Sequence, residues 1–342
     1  MSVPRPITIV GGGLAGLSLG FALRRSGVET RIIEAGHYPR HRVCGEFITG
    51  LDDATVESLG IGPALAGAGS HRHVTFFLRG RAVGRHALPS PARAISRYHL
   101  DARLAELFTE AGGHLSTGQR VAAATLEPGW VQTTGRNRTE DSPWMGLKLH
   151  ARNFAPSDEL ELHLGDGAYV GLSSVEDGWI NVCGLFRRRP GLRFGREDAL
   201  SSWLVASGLG DLATRLGAAE IRPGSRSAVA GFGFDRHLRE PEGLQIGDAS
   251  AMIPPFTGNG MAMAFVGASI ALDPLVAWAR GGPSWSETTG TIHRALRREF
   301  NRRLVCAASL HPFLLRTAGQ SCLGAAARAG LLPVSTLYRL LH

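Results

Sequence analysis

The sequence is poor in cysteine and almost without lysine, and each shortage removes a class of protein. Its four cysteines are scattered over 342 residues with no CxxC pair and no metal-ligand spacing, so we predict neither a metal site nor a disulfide framework. Lysine occurs once, at Lys148, so arginine supplies nearly all of the positive charge behind the net charge of +8. Aromatic residues make up 7% of the chain, and no nucleic-acid motif accompanies the arginines. We interpret the excess charge as solvated helix faces and expect no nucleic-acid partner.

The sequence also lacks an apolar leader. Its first apolar segment is only a few residues long, so no signal peptide is predicted and a cytoplasmic location is expected. Residues 260–279 approach membrane-spanning length but contain Asp273, Pro274 and many small residues. This pattern predicts a buried helix that ends before Pro274.

The most informative stretch begins at residue 7, where an apolar strand runs into a glycine-rich turn. Gly11 lets the chain leave the strand, Gly13 lets a pyrophosphate approach the backbone, and Gly16 lets the following helix pack closely. Glu34 ends the next strand, where a carboxylate accepts ribose hydroxyls, and the helix start favours negative charge. The pattern predicts a dinucleotide site whose neighbouring contacts are Leu14, Ala15 and Ala35.

A second glycine-rich region lies more than two hundred residues later. Residues 243–249 predict a short strand that ends in Gly247 and Asp248, and Gly258, Asn259 and Gly260 precede the small-residue helix. Two contact regions so far apart in one domain imply a long cofactor.

Together these residues resemble those of FAD-dependent oxidoreductases in the group that includes aromatic hydroxylases, geranylgeranyl reductases and flavin-dependent halogenases. The resemblance implies that Asp248 contacts the ribityl chain of FAD and that Gly258, Asn259 and Gly260 lie beside the flavin ring. It also implies that Arg97, at a helix start, and Arg42, after the second strand, lie near the cofactor. Met261 and Val121 complete the predicted set of FAD contacts.

The resemblance covers nearly the whole chain and implies an α/β fold. We expect a Rossmann-like FAD-binding domain of the glutathione-reductase type, an inserted and mostly antiparallel β-sheet substrate domain, and a helical C-terminus. We assign FAD binding to residues 1–70, 94–142 and 226–283, the substrate sheet to residues 71–93 and 143–225, and the helical segment to residues 284–342.

Polar side chains alternate along two predicted strands of the inserted sheet. The first strand carries Lys148, His150 and Arg152, and the second carries Glu159, Glu161 and His163. We interpret them as an ionic face that pairs across a hairpin, with an active-site role as the alternative.

The segment RVCGEF at residues 42–47 resembles the cysteine-glycine segment of geranylgeranyl reductases, which lies near the flavin. The resemblance implies that Cys44 lies beside the cofactor, where a thiol could gate the substrate or donate a proton. Glu46 would act as an acid or base if it is buried. The alternative for Cys44 is a small buried hydrophobe without a catalytic role.

The implied function is an FAD-dependent oxidoreductase that acts on a hydrophobic small molecule, such as a phenolic polyketide or an isoprenoid. Hydroxylation through a flavin hydroperoxide is favoured over hydrogenation of a carbon–carbon double bond. Residues 131–137 lack the Asp-Gly motif of typical phenol hydroxylases, and the Trp-x-Trp-x-Ile-Pro segment of halogenases is absent, so halogenation is not expected. A non-catalytic escort for lipidated partners, with the same fold, is the alternative of another class.

Two further questions concern partners. No second GxGxxG motif follows a strand, so electrons are expected from NAD(P)H bound in the cleft or from a separate electron-donor protein. The apolar segment at residues 304–342 either packs on the core as a cap over the substrate channel or rests on a membrane surface. The sequence predicts no particular oligomeric state.

Overall fold

The computed structural model describes residues 4–121, 127–154, 156, 160–189, 191, 195, 198–239, 243–329, 331 and 334–341. The strands are β1 (Ile7–Val10), β2 (Thr30–Ile33), β3 (Phe47–Ile48), β4 (Gly69–Leu78), β5 (Arg81–Ala94), β6 (His114–Ser116), β7 (Trp130–Gln132), β8 (Trp144–Arg152), β9 (Leu160–Gly165), β10 (Ala168–Ser174), β11 (Ile180–Arg187), β12 (Glu220–Ile221), β13 (Ser227–Ala230) and β14 (Leu244–Gln245). The helices are α1 (Leu14–Arg25), α2 (Asp53–Leu59), α3 (Arg97–Glu110), α4 (Ala199–Ala206), α5 (Gly210–Gly217), α6 (Gly260–Ala279), α7 (Trp285–Leu315), α8 (Thr317–Arg328) and α9 (Val334–Leu341).

The first sheet is parallel and holds the glycine turn at the end of its central strand. Its strand order is β14–β7–β1–β2–β6. Ile7, Ile9 and Ile32 are fully buried in it, as expected for a parallel sheet covered by helices. This sheet is the Rossmann-like unit predicted from the sequence, and the α/β fold class is confirmed.

Helix α1 lies close to this sheet because glycines face it. A Cβ on Gly20 would approach the side chains of Ile32 and Phe108, so no larger residue fits there without movement. Helix α3 begins at the N-cap Ser96, whose hydroxyl accepts from the N–H of His99. These contacts place the starts of α1 and α3 on the cofactor side of the fold.

Helix α6 continues through Pro274, so the prediction that it ends before this proline is wrong. Pro274 removes one backbone hydrogen bond and costs about 3 kcal/mol, but Leu275 and Trp278 beyond it are buried in the core and offset that cost. The helix is long and apolar enough to span a membrane, yet 56% of its most apolar window is buried inside the protein. The packing is that of a core helix.

The second sheet is mostly antiparallel, with the order β12–β8–β11–β10–β9–β4–β5–β3, and β13 also pairs with β8. Within this second sheet, β4–β9 is the only parallel pair among the described strands. Residues 227–230, which we assigned to the FAD-binding part, therefore belong to the second sheet, and the boundary at residue 225 is wrong. The reason is that the short strand β13 completes the edge of β8, a long-range pairing without a local signal.

The ionic hairpin predicted in this sheet is also wrong. Strands β8 and β9 are not neighbours, because β11 and β10 lie between them. Arg152 instead pairs with Glu220, while Glu161 contacts His163 and Arg215. Glu159 lies outside the described residues. The alternating polar residues at positions 148–152 belong to β8, most of which is buried on both faces, and not to a hairpin with one solvent-exposed face.

Helix α7 packs on α6 along its first part and on β9 and β10 of the second sheet near its end, where it joins an aromatic cluster. A capping box of Ser284 and Glu287 starts the helix, and residues at spacings of three and four form its buried stripe. Near its end, His311 is buried against the rings of Trp144, Tyr169, Phe234 and Phe256. Burial lowers the pKa of His311 to about 4, so the ring is neutral at physiological pH.

Replacing His311 by Phe should flatten the acid side of the stability profile. In the wild type the unfolded chain binds a proton at His311 below about pH 6.5 and the folded protein does not, so the free energy of unfolding falls between pH 6.5 and 4, by up to about 3 kcal/mol. Chemical denaturation of His311→Phe at several pH values should show a shallower fall. An unchanged slope would contradict the assignment of a neutral buried imidazole.

Candidate functional site

The glycine turn is fixed by contacts that leave an opening at one position. A Cβ on Gly11 or Gly16 would collide with backbone or with Thr133, whereas nothing lies within 4 Å of the position of a Cβ on Gly13. Thr133 stabilises the turn because its hydroxyl donates to the carbonyl of Gly11 at 2.6 Å. Gly13 is the N-cap of α1 and has no capping side chain. The open space at a helix N-terminus is the arrangement that an anion-binding cradle requires.

Glu34 lies directly beside this turn. Its Oε2 accepts the N–H of Gly12 at 2.7 Å, and its Oε1 accepts Gly36 N–H at 2.7 Å and Arg40 Nη2 at 2.6 Å. Burial opposes ionisation, but these donors outweigh it and hold the pKa of Glu34 below its usual value. The carboxylate is therefore ionised and positioned as an acceptor.

Two arginines from different segments share one buried carboxylate. Arg97 contacts Asp101 with Nε at 2.7 Å and Nη2 at 2.8 Å, and Arg42 Nε donates to the same carboxylate at 3.0 Å. Asp101 is fully buried, while both guanidinium groups line the cavity described below. The pairing fixes two positive charges beside the glycine turn, which suits a diphosphate.

A cavity of about 260 Å³ extends from Gly13 past these arginines to the late glycine turn. Asp248 lines it, and among the described residues its carboxylate has no hydrogen-bond partner. Burial raises the pKa of Asp248, and Arg97 and Arg136 partly oppose this rise. An unpartnered carboxylate in a cavity is ready to accept a hydroxyl group.

Most of the predicted FAD contacts line this cavity, which we call the FAD cavity. They are Gly13, Leu14, Ala15, Glu34, Arg42, Arg97, Gly247, Asp248, Gly258, Gly260 and Met261. Gly11 and Gly16 act instead through backbone packing, and neither Ala35 nor Val121 is part of the lining. Asn259 faces away from the cavity, and its amide donates to the carbonyl of Leu341.

Two cysteines lie together on the wall of the FAD cavity. Cys44 and Cys183 both line it, on the β3 side and on β11 respectively. Asn181 of β11 donates to the carbonyls of Cys44 and Gly45 at 2.9 and 2.8 Å, which attaches the cysteine segment to the second sheet. Burial raises the pKa of both thiols, so they are protonated at neutral pH.

Glu46 lies behind this wall in a buried ionic cluster. Its carboxylate accepts Lys148 Nζ at 2.8 Å, the N–H of Arg97 at 3.0 Å, and contacts His150 Nε2 at 2.6 Å. All three side chains of the Glu46, Lys148 and His150 cluster are fully buried. Burial opposes ionisation of Glu46, but His150 and Lys148 outweigh it and lower its pKa. Glu46 therefore positions the cysteine segment and does not line the FAD cavity.

Sequence reasoning missed the connection between Glu46 and strand β8. The alternation of Lys148 and His150 was a correct signal that they share a face, but their partner is distant in sequence. Lys148, the chain's single lysine, lies between two leucines of a predicted strand and is fully buried. Lysine is rarely buried without a partner, so its position in an apolar strand was the clearest sequence signal of an ion pair. Thr133 and Asn181 carried no local signal.

The residues of the FAD cavity fit FAD by three independent observations. Gly13 leaves open space where a pyrophosphate approaches, Glu34 offers an ionised carboxylate near that end, and Asp248 offers an unpartnered acceptor farther along. The two arginines supply compensating positive charge. With FAD bound, the glycine turn would hold adenosine and pyrophosphate, and the end near Cys44 and Gly258 would hold the flavin.

Comparisons with known proteins agree with this assignment. Residues 5–155 match the model of an FAD binding domain family. A curated relative, menaquinone reductase of Mycobacterium tuberculosis, is 27% identical over 121 residues, which cover 34% of this chain but only 30% of the relative. The chain therefore carries an FAD-binding domain.

Solved structures show the same fold over nearly the whole chain. HpxO of Klebsiella pneumoniae, in complex with FAD and uric acid, is 16% identical with a TM-score of 0.75, covering 98% of this chain and 96% of that one. The p-nitrophenol 4-monooxygenase PnpA of Pseudomonas putida is 13% identical with a TM-score of 0.77, covering 100% and 97%. A flavin-dependent brominase is 17% identical with a TM-score of 0.75, covering 98% and 93%. The predicted resemblance to flavin hydroxylases is confirmed at the level of the fold. The match to the FAD binding domain family confirms the predicted FAD cofactor.

Replacing Gly13 by Val should abolish tight FAD binding without unfolding the protein. The new side chain enters open space, so the melting temperature of the apoprotein should not change, but it occupies the expected path of the pyrophosphate. We expect a loss of affinity of about 100-fold, equivalent to about 3 kcal/mol, measured by quenching of FAD fluorescence. Gly210→Val, at another open helix start, is the matched control. Equal affinity in Gly13→Val and the control would contradict this position for the diphosphate.

Replacing Glu46 by Gln should destabilise the protein strongly, because it leaves the charge of Lys148 buried without its counterion. We expect the free energy of unfolding to fall by about 3–5 kcal/mol, measured by chemical denaturation. The double variant Glu46→Gln/Lys148→Met should recover part of the loss. Glu220→Gln, in an exposed pair with Arg152, should leave stability unchanged. If Glu46→Gln were as stable as this control, the buried cluster would not contribute to the stability of the fold.

Proposed function

We propose that the protein is an FAD-dependent monooxygenase of an apolar small molecule, phenolic or isoprenoid-like. The observation that carries the proposal is a second cavity of about 330 Å³ that adjoins the FAD cavity. The two cavities share Phe47, Leu162, Gly171 and Phe256 as lining residues. A molecule in the second cavity, which we call the apolar cavity, would reach the end of the FAD cavity where the flavin ring is expected.

The lining of the apolar cavity supports an apolar substrate. Side chains of Val, Leu and Phe from β4, β5, β9 and α7–α9 supply most of its surface. Most of its few polar groups are already engaged: Glu161 contacts His163, and the Gln320 amide nitrogen donates to the carbonyls of Gly165 and Leu314. Gln320 Oε1 is a buried acceptor without a partner among the described residues. Burying a charged or strongly hydrated substrate here would leave its polar groups without partners. A cavity of this volume suits a drug-sized molecule or part of an alkyl or prenyl chain.

The residues around the shared opening would exclude water from the reaction. Phe47 and Phe256 form part of it, and both contact the late glycine turn or the aromatic cluster. FAD, when bound, supplies two-electron chemistry at this place. In monooxygenation one oxygen atom of O₂ enters the substrate as a hydroxyl and the other leaves as water, with two electrons from NAD(P)H or a donor protein. A dry opening suits this reaction because water competes with the substrate.

A second candidate reaction is reduction of a carbon–carbon double bond. It needs a hydride equivalent on one carbon and a proton on the other. The neutral thiols of Cys44 and Cys183 lie on the wall of the FAD cavity, and either could supply that proton. The partial similarity to menaquinone reductase also favours this alternative. The FAD cavity argues against the non-catalytic escort considered from the sequence.

One assay separates the two reactions. Holoenzyme is incubated with NADPH, oxygen and either an alkylresorcinol or a polyprenyl compound, and the masses of the products are measured by mass spectrometry. We expect a gain of one oxygen atom, accompanied by oxygen consumption. A gain of two hydrogens that is lost in Cys44→Ser would support the reductase instead. If NADPH alone does not bleach the flavin, the electrons come from a donor protein.

A blocking variant tests the role of the apolar cavity. Leu323 of α8 lines that cavity but not the FAD cavity, so Leu323→Trp should fill it and leave FAD bound. We expect turnover of long-chain substrates to fall by at least about tenfold, or about 1.4 kcal/mol, with the rate of flavin reduction unchanged. Val205→Trp, at an exposed position on α4, is the control. Unchanged turnover in Leu323→Trp would place the substrate elsewhere.

A further inference from the structure

The apolar cavity is covered on one side by a cap made of the last turn of α7 with α8 and α9, residues 312–329, 331 and 334–341. Phe313 and Leu314 of α7, Leu323 and Ala327 of α8, and Leu337 and Leu341 of α9 line the cavity from this side. The hairpin of β4 and β5 forms the opposite wall and contributes Val74, Phe76 and Val83. Ser90 of the hairpin and Tyr338 of the cap share a hydrogen bond of 2.7 Å. Phe313 of the cap lines the cavity and is largely exposed, so the cavity reaches the surface beside the cap and the hairpin, and we call this place its mouth.

The two chain segments that form this mouth contain no acidic residue. Acids are absent from residues 58–100 and from residues 300–342 of the sequence. The cap carries three exposed arginines, each within two residues of a cavity-lining side chain: Arg316, Arg328 and Arg339. Asp211 approaches the hairpin tip at Gly80, and Asp166 lies near the end of α7. The positive field is thus least compensated at Arg328 and Arg339.

The same surface exposes large apolar side chains. Phe313 lines the apolar cavity and is nevertheless 59% exposed, and Leu331, between α8 and α9, is 74% exposed. Apolar side chains among arginines, on a helical surface without acids, are the combination that inserts into the headgroup region of an anionic bilayer. A site for an acidic protein would need the arginines but not the exposed Phe313 and Leu331.

We infer that the cap docks on an anionic phospholipid surface and that an apolar substrate enters the cavity from the bilayer at this point. The docking stands on the charge and exposure of the cap alone. The entry route rests on the proposed function. Phe313 would insert beside the cavity mouth, while Arg328 and Arg339 would contact lipid phosphates.

Sedimentation of the holoenzyme with vesicles tests the docking. At low salt the protein should bind vesicles that contain phosphatidylglycerol, and bind pure phosphatidylcholine vesicles poorly. Each arginine near the surface contributes about fivefold in partitioning, equivalent to about 1 kcal/mol, so Arg328→Glu/Arg339→Glu should lose at least about 25-fold. Phe313→Ser should weaken binding while the salt dependence remains.

The matched control is Arg294→Glu/Arg298→Glu on the exposed face of α7. Arg294 precedes Phe313 by 19 residues in the same helix, about 28 Å away at the helical rise. This pair makes the same charge change and should retain binding. Equal loss in both pairs, or no sedimentation of the wild type with anionic vesicles, would overturn the proposal.

Two more readouts separate the alternatives. We call the Arg328→Glu/Arg339→Glu variant the cap pair. If an acidic donor protein no longer reduces the flavin of the cap pair while vesicle binding persists, the cap is a protein-docking site and the membrane proposal is wrong. Turnover of a detergent-solubilised substrate should be the same in the cap pair and the wild type. Vesicle binding without turnover of any substrate would sustain the docking and count against the proposed function alone.

Discussion

The buried carboxylate of Glu46 is the constraint on which the rest of the site depends. It joins three parts of the chain that are far apart in sequence: the cysteine segment, the start of α3 through the N–H of Arg97, and strand β8 through Lys148 and His150. The positions of these partners are tightly constrained, because losing any one of them would leave a buried charge without compensation. The cluster thereby ties the start of α3 to strand β8 of the second sheet and sets the position of the wall that carries Cys44.

That rigid wall explains how one fold holds two cavities of opposite character. The FAD cavity is lined by arginines, by the separate carboxylates of Glu34 and Asp248, and by backbone at glycines. The apolar cavity is lined mainly by leucines and aromatic residues from the second sheet and the cap. Phe47, next to Glu46, is a lining residue of both. His311 in α7 reinforces the boundary from the other side, where its neutral ring packs on Phe256. The flavin end of the cofactor and an apolar substrate would therefore meet beside Phe47 and Phe256, with the charged diphosphate at the opposite end of the FAD cavity.

Much of the cofactor site followed from local sequence, because its residues serve the backbone of their own segment. Gly13, Glu34 and Asp248 lie on the cofactor side as expected, each at a strand end or a helix start. The errors concern side chains whose partners come from elsewhere. Lys148 and His150 alternate as an amphipathic strand would, but β8 is buried on both faces, and their acid is Glu46 rather than a residue of the next strand. Pro274 is tolerated within α6 because the core packs around it.

The sequence alone determined the glycine turn and the strand–helix–strand unit around it, because these depend on backbone conformation and on contacts within about thirty residues of chain, the span of one βαβ unit. The expectation of FAD came from the resemblance, which also draws on the distant region around Asp248. The tertiary structure decided everything that requires distant segments to meet. It made the single lysine a buried counterion, placed Cys183 beside Cys44, and folded two acid-free segments around one apolar cavity. Burial assigns these roles, and burial is a property of the packed chain that no local pattern contains.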